Sequence, residues 1–229
     1  MIELALLSLW LLAAPEQKPA EPGTEVLQYN INWPSGLSLG EAKITASSVS
    51  EKGKNLLSFE FNIDAAVPGF AVRDEIRSTA TSEFCSASLE KHLSHGTRKT
   101  RERTDFNQRA RVATRATEKG GKSELPLPAC AKDALTFLHY LRSELRQGRL
   151  PPPQTVFFGA PYQLRLEYSG TRSMQLGDSM VQADRLKGIV KGAASENRFE
   201  IVVARDASRT PLLVSLPLAL GTFSMELVQ

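Results

Sequence analysis

Lys132-Asp133-Ala134-Leu135-Thr136-Phe137-Leu138-His139-Tyr140-Leu141-Arg142-Ser143-Glu144-Leu145-Arg146-Gln147-Gly148 is the stretch on which the rest of the chain converges. Leu135, Leu138, Leu141 and Leu145 recur at spacings of three and four, with Ala131, Ala134 and Phe137 beside them, so one broad apolar stripe runs along the segment. Asp133 is placed to cap the first turn, and Gly148 followed by Pro151, Pro152 and Pro153 stops the helix sharply. Arg142, Arg146 and Arg149 sit at the negative end of the helix dipole, where cations are favoured. The segments around it alternate in strand fashion. A lone amphipathic helix among strands buries its stripe best on the concave face of a curved sheet.

Working outward, the alternation is clearest at Leu57, Phe59, Phe61 and Ile63, set against Ser58, Glu60, Asn62 and Asp64. Before it, Leu27, Tyr29, Ile31 and Trp33 form one row, and Ala42, Ile44 and Ala46 another. After it come Phe70, Val72 and Ile76, with Asp74 among them. Beyond the helix the same period carries Val156 and Phe158, then Tyr162, Leu164, Leu166 and Tyr168. A weaker segment follows from Val181 to Lys191, then Phe199, Ile201 and Val203, then Leu212, Val214 and Leu216, and last Phe223, Met225 and Leu227. Turn residues separate these runs, among them Gly159-Ala160-Pro161, Ser169-Gly170 and Asp206-Ala207-Ser208. The expected fold is mainly β: a single curved antiparallel sheet or open half-barrel of about 10–12 strands, with one α-helix packed on its concave face.

The composition is that of a globular chain, 41% hydrophobic and 23% charged with a net charge of +3. Leu4 to Ala14 is an apolar run too short to span a bilayer and suited to a signal-peptide core, although Glu3 and the absence of Lys or Arg before it are atypical. Residues 1–14 are therefore read as a signal peptide, 15–24 as a linker and 25–229 as one β-rich domain without a transmembrane span. In an exported chain the two cysteines, Cys85 and Cys130, are most simply a disulfide. Closing a loop of roughly 46 residues would stabilise the fold by at most about 4 kcal/mol.

Certain residues resemble a known pattern. Tyr29-x-Ile31-x-Trp33, followed by Gly40-x-Ala42, is similar to the opening strands of a family of exported bacterial proteins known as domain-of-unknown-function 3108. Tyr140-Leu141-Arg142, Asp206-x-x-Arg209-x-Pro211 and a last strand opened by Gly221 fit it too. The resemblance spans roughly residues 25 to 228. It implies export, to the periplasm or outside the cell, and a curved antiparallel sheet wrapped around one helix, a shape similar to half-barrel lipoprotein carriers and apolar-ligand binders of the bacterial envelope. It brings no catalytic residues.

Candidate sites follow. The inward row of Trp33, Phe59, Phe61, Tyr162 and Phe199, with Leu138 on the helix, either surrounds a ligand cavity for a lipid or other amphiphile or fills it as packed core. Asp74 on the same face is either a ligand contact or a carboxylate neutralised by an inward arginine such as Arg142. Lys91 to Lys122 holds ten Lys or Arg and three acidic residues. Read as two strands meeting at Asn107-Gln108, it sets Lys99, Arg101 and Arg103 in one row and Arg109, Arg111 and Arg115 in the other. Arg101, Arg103, Arg109 and Arg111 then offer a surface to an anionic partner or an envelope protein, or simply guard a sheet edge. With Phe106 its one aromatic, that segment lacks a stacking platform for nucleic acid. His92 and His95, three apart on a strand, point to opposite faces and do not make a metal pair. No nucleophile elbow, phosphate loop, dinucleotide fingerprint or zincin motif is present, so neither a cofactor nor a reaction is nominated.

Overall fold

A computed structural model describes residues 23–51, 53–67, 69–218 and 221–228. The leader-like run of residues 4–14 and most of the linker lie outside the described residues. The described residues open with eight strands: β1 (Glu25–Asn32), β2 (Ser38–Glu51), β3 (Lys54–Val67), β4 (Phe70–Ala80), β5 (Ser86–His95), β6 (Arg98–Asn107), β7 (Val112–Thr117) and β8 (Lys122–Pro126). The short β9 (Lys132–Asp133) leads into α1 (Ala134–Arg146). Then follow β10 (Gln154–Phe157), β11 (Pro161–Leu176), β12 (Ser179–Lys191), β13 (Glu196–Ala204), β14 (Pro211–Leu218) and β15 (Gly221–Val228).

All of these strands belong to one sheet, in the order β8 to β1, then β15 down to β9. The first and last strands are thus neighbours in its middle, paired from Gln28↔Val228 to Asn32↔Ser224. Every pairing is antiparallel except β9 with β10, which are parallel and joined through α1, as a parallel pair requires a crossover. Strands β8 and β9 lie at opposite ends of that order, yet only residues 127–131 connect them. So short a link reaches at most ~20 Å. The sheet must therefore curl until its two edges come near each other. Ala131 completes the approach, its carbonyl accepting from Ser86 N at the start of β5 at 3.0 Å.

Helix α1 lies in the hollow. Its N-cap is Asp133, as the sequence predicts, and Gly148 beyond its end takes the left-handed conformation (φ 76°) that stops a helix. Leu135, Leu141 and Leu145 are buried. Leu135 joins Phe59, Ile76, Leu89, Phe106 and Phe157 in one core cluster, and Leu141 and Leu145 join Leu164, Leu186, Ile201 and Val203 in another. The disulfide Cys85–Cys130 is formed and ties the β4–β5 turn to the approach of the helix.

The structure corrects several details. Among the described residues there are fifteen strands rather than ten to twelve. Strand β5 escaped the pattern because Lys91 is buried between Leu89 and Leu93 on its inner face. Strand β8 is mostly exposed and polar, and β9 has only two residues. Ser169-Gly170 is not a turn. It is a β-bulge inside β11, where the register slips between Tyr168 and Thr171, and the turn comes at residues 177–178. The basic hairpin turns over residues 108–111, so Arg109 and Arg111 sit in the turn rather than on a strand face. Asn107 Oδ1 accepts from Ala110 N at 2.9 Å and closes that turn. Arg115 points inward to Glu102, so the second basic row does not form.

Candidate functional site

Between α1 and the sheet lies a cavity of about 330 Å³. The helix supplies Leu138, Phe137 and Leu141, β3 supplies Phe61, and β11 and β13 supply Tyr162 and Phe199; Phe158 and Met225 close other sides. Tyr162 is the one lining residue that carries a hydroxyl, and no lining residue is charged. Phe61, Leu138, Tyr162 and Phe199 each retain partial exposure although they face the interior, because the space in front of them is not filled.

Glycines shape this wall. Gly188 pairs across strands with Phe199, and any Cβ at Gly188 would run into the Phe199 ring. The ring therefore lies flat over the glycine backbone. Gly192 seats Tyr162 similarly, a Cβ there falling 2.9 Å from the ring.

Four of the residues picked from sequence, Phe61, Leu138, Tyr162 and Phe199, converge on this cavity. Three do not. Strand β1 ends at Asn32, so Trp33 opens the following turn and packs edge-on against Phe223 with ring centroids 4.9 Å apart. Phe59 is packed core, 3% exposed, with its ring stacked on His139 at 4.1 Å. Asp74 lies away from the cavity, its carboxylate 3.0 Å from His95 Nε2 and accepting from Ser94 N at 3.2 Å. Arg142 is not its partner. Phe158 was legible as the inward companion of Val156, but nothing local marked it as a cavity wall rather than core.

Buried charges among the described residues are paired or hydrogen-bonded, as at Asp184 with Arg205 and Arg209 and at Glu144 with Arg149, and around the helix and β5–β7 they form tight groups. The Asp133 carboxylate, fully buried, accepts from Ser78 Oγ (2.6 Å), Ser86 Oγ (2.5 Å) and Thr136 Oγ1 (2.8 Å), and caps the N–H groups of Leu135 and Thr136. Arg142, on the helix, forms a two-pronged pair with Glu25 at 2.5 and 2.6 Å, and donates to the carbonyls of Arg209 and Ser208 at 3.1 and 3.0 Å. The Arg142 hydrogen bonds hold the Glu25 carboxyl below the usual carboxylate range. Lys91 reaches Glu102 at 2.5 Å, and Arg115 binds the other oxygen of that carboxylate with its Nε at 3.0 Å. Burial pushes the Glu102 carboxyl up, but its bonds to Lys91 and Arg115 outweigh this and hold it low.

The exposed arginines of the hairpin are partly neutralised. Arg103 pairs with Glu90 and Asp105, and Arg101 lies 3.9 Å from Glu118. Arg109 and Arg111 are exposed in the turn. His92 approaches Glu75 at 3.6 Å while His95 meets Asp74, so the two histidines face different partners. Among the described residues no group of three potential metal ligands comes together, and no helix is long and apolar enough to cross a membrane.

His139 gives a pH prediction. Burial, reinforced by the Arg142 charge, lowers its pKa to about 3, whereas the unfolded value is ~6.5. Between these values the unfolded chain binds a proton that the folded one refuses, so stability falls as pH drops below the unfolded value. The Glu25 carboxyl acts in the same direction at lower pH, since its favourable pairing is lost on protonation. Unfolding free energies from denaturant titrations between pH 7 and pH 4 should decline by up to ~1.4 kcal/mol per pH unit. His139→Phe should flatten the upper part of that slope, and a slope unchanged by the substitution would assign it elsewhere.

The whole outline of the molecule has a counterpart among solved structures. A β-barrel-like protein of domain of unknown function DUF1849 from Brucella abortus superposes with a TM-score of 0.59, covering 89% of this chain and 95% of that one at 8% identity. At that identity the likeness speaks for the fold alone. No curated protein matches the sequence. The family model described as "Protein of unknown function (DUF3108)" matches residues 28–228. That match runs from β1 to β15 and takes in Tyr29, Arg142 and the Asp206–Pro211 turn, and the chain therefore belongs to the DUF3108 family.

Proposed function

We propose that this protein is an exported domain that takes an apolar or amphiphilic molecule of the cell envelope into the cavity between α1 and the sheet. The observation that carries this reading is the cavity itself. At about 330 Å³ it is within the size range of small-molecule sites, and its wall is apolar apart from one phenol. The disulfide supports an oxidising compartment, periplasmic or extracellular. The wall offers no nucleophile and no acid–base pair, which favours binding over catalysis.

A lipophilic dye should bind saturably and be displaced by extracted envelope lipids. Leu138→Trp places a larger ring in the void and should weaken dye binding at least tenfold while leaving the fold's circular dichroism unchanged. Equal dye affinity in the two proteins would remove the cavity as the site. A second reading, docking of an acidic envelope partner through the hairpin, rests on exposed Arg109 and Arg111. It is the weaker one, because Arg101 and Arg103 already have acidic neighbours.

A further inference from the structure

On the reading just given, we propose that the cavity's ligand is a single-chain amphiphile with an anionic head, held at the Phe158 end by the triad Lys91–Glu102–Arg115. The tail follows from volume. A methylene takes up about the ~30 Å³ of a liquid water molecule, so 330 Å³ holds a chain of roughly ten carbons. A void of that size matches one acyl chain better than two. The wall carries no charged residue and is almost wholly apolar, which favours hydrocarbon for this part of the ligand.

The head follows from charge. Phe158 belongs to the cavity wall and also carries the triad, with Lys91 Nζ lying 4.0 Å over its ring and donating to its carbonyl at 3.2 Å. The Lys91 and Glu102 side chains are 7% and 5% exposed, and Arg115 is 34% exposed. Two cations share one carboxylate, leaving an excess positive charge that reaches water only through the part-exposed Arg115, and an approaching anion would be favoured there. The adjoining loop leaves little slack on its own side. Gly159, at φ 80°, presses so closely on Glu102 and Lys91 that a Cβ would collide with both. An anionic head entering beside Phe158 balances the triad while its tail fills the void.

Dye displacement by decanoate, decyl phosphate and decanol tests this in the intact protein and in Arg115→Gln and Lys91→Met, with thermal unfolding recorded for each. At low salt at least one of the two anions should displace the dye at a concentration at least tenfold below decanol, and 0.5 M salt should reduce that advantage. Both substitutions should erase the advantage while decanol binding persists. Arg115→Gln, the more exposed position, keeps the test readable if Lys91→Met fails to fold. The ratio of decanoate to decyl phosphate tells a carboxylate head from a phosphate head. Decanol equal to both anions in the intact protein overturns the anionic head and leaves the cavity reading standing. A two-chain phospholipid that outcompetes all three overturns the single chain. If none displaces the dye, the cavity reading falls, and this inference with it.

Discussion

Asp133→Ala should lower the stability of the fold by about 4 kcal/mol or more, the largest effect expected of any single substitution described. A lost N-cap alone costs ~1 kcal/mol, but here the carboxylate is fully buried and serves five donors. Removing it leaves the hydroxyls of Ser78, Ser86 and Thr136 and two helix N–H groups inside the protein without their acceptor, at ~1–3 kcal/mol for each group that finds no new one. The hydroxyls can turn toward one another, so the total is less than the sum. Asp133→Asn keeps an acceptor for the helix N–H groups and should cost roughly half as much. Urea midpoints of the three proteins measure this. An alanine variant within about 1 kcal/mol of the parent would mean that the polar cluster, and with it the docking of α1 on β4 and β5, does not stabilise the fold.

Arg142→Ala should cost about 3–5 kcal/mol, the loss usual when one partner of a buried ion pair is removed. Its side chain is 3% exposed and is shared among three remote pieces of chain: Glu25 ahead of β1's inward row, the helix itself, and the carbonyls of the turn before β14. Arg146 grips the same turn through the carbonyls of Ala207 and Ser208, both at 2.9 Å. Lysine cannot reproduce the two-pronged geometry, so Arg142→Lys should recover only part of the loss. Glu25→Gln should be milder, because Glu25 is 36% exposed and its environment can supply water. A double-mutant cycle of Arg142→Ala with Glu25→Gln checks the pair directly, and a coupling energy near zero would show that the carbonyl contacts alone hold the helix.

That second site explains the family motifs in physical terms. Tyr29, at the centre of Tyr29-x-Ile31-x-Trp33, is completely buried and donates its hydroxyl to the Pro211 carbonyl at 3.0 Å. Asp206 accepts from the backbone N–H groups of Ser208 and Arg209 and so shapes the turn whose carbonyls Arg142 binds. Gly221, at φ 123°, leaves no room for a Cβ against Pro34. Tyr29, Arg142 and the turn before Pro211 thus meet around the first half of β1, while Gly221 meets Pro34 just beyond its other end. These motifs hold the bowl in shape around α1, and only Leu141 among them reaches the cavity wall.

By itself the sequence determined what is local. The helix and its cap, the inward rows of the strands, the family and four walls of the cavity could be read because each is written in a period of a few residues. The tertiary structure decided what depends on distance. Arg142 meets Glu25 across 117 residues rather than Asp74, because Asp74 lies where β4 faces β5 while Glu25 lies beside the turn that embraces the helix. Lys91 could not be recognised as an inward residue until Glu102 and Arg115 were brought to it by the pairing of β5, β6 and β7. Whether the interior is hollow was likewise undecided along the chain. Volume left over between helix and sheet is the residue of many side chains packing at once, and here it turns on Gly188 letting Phe199 lie flat.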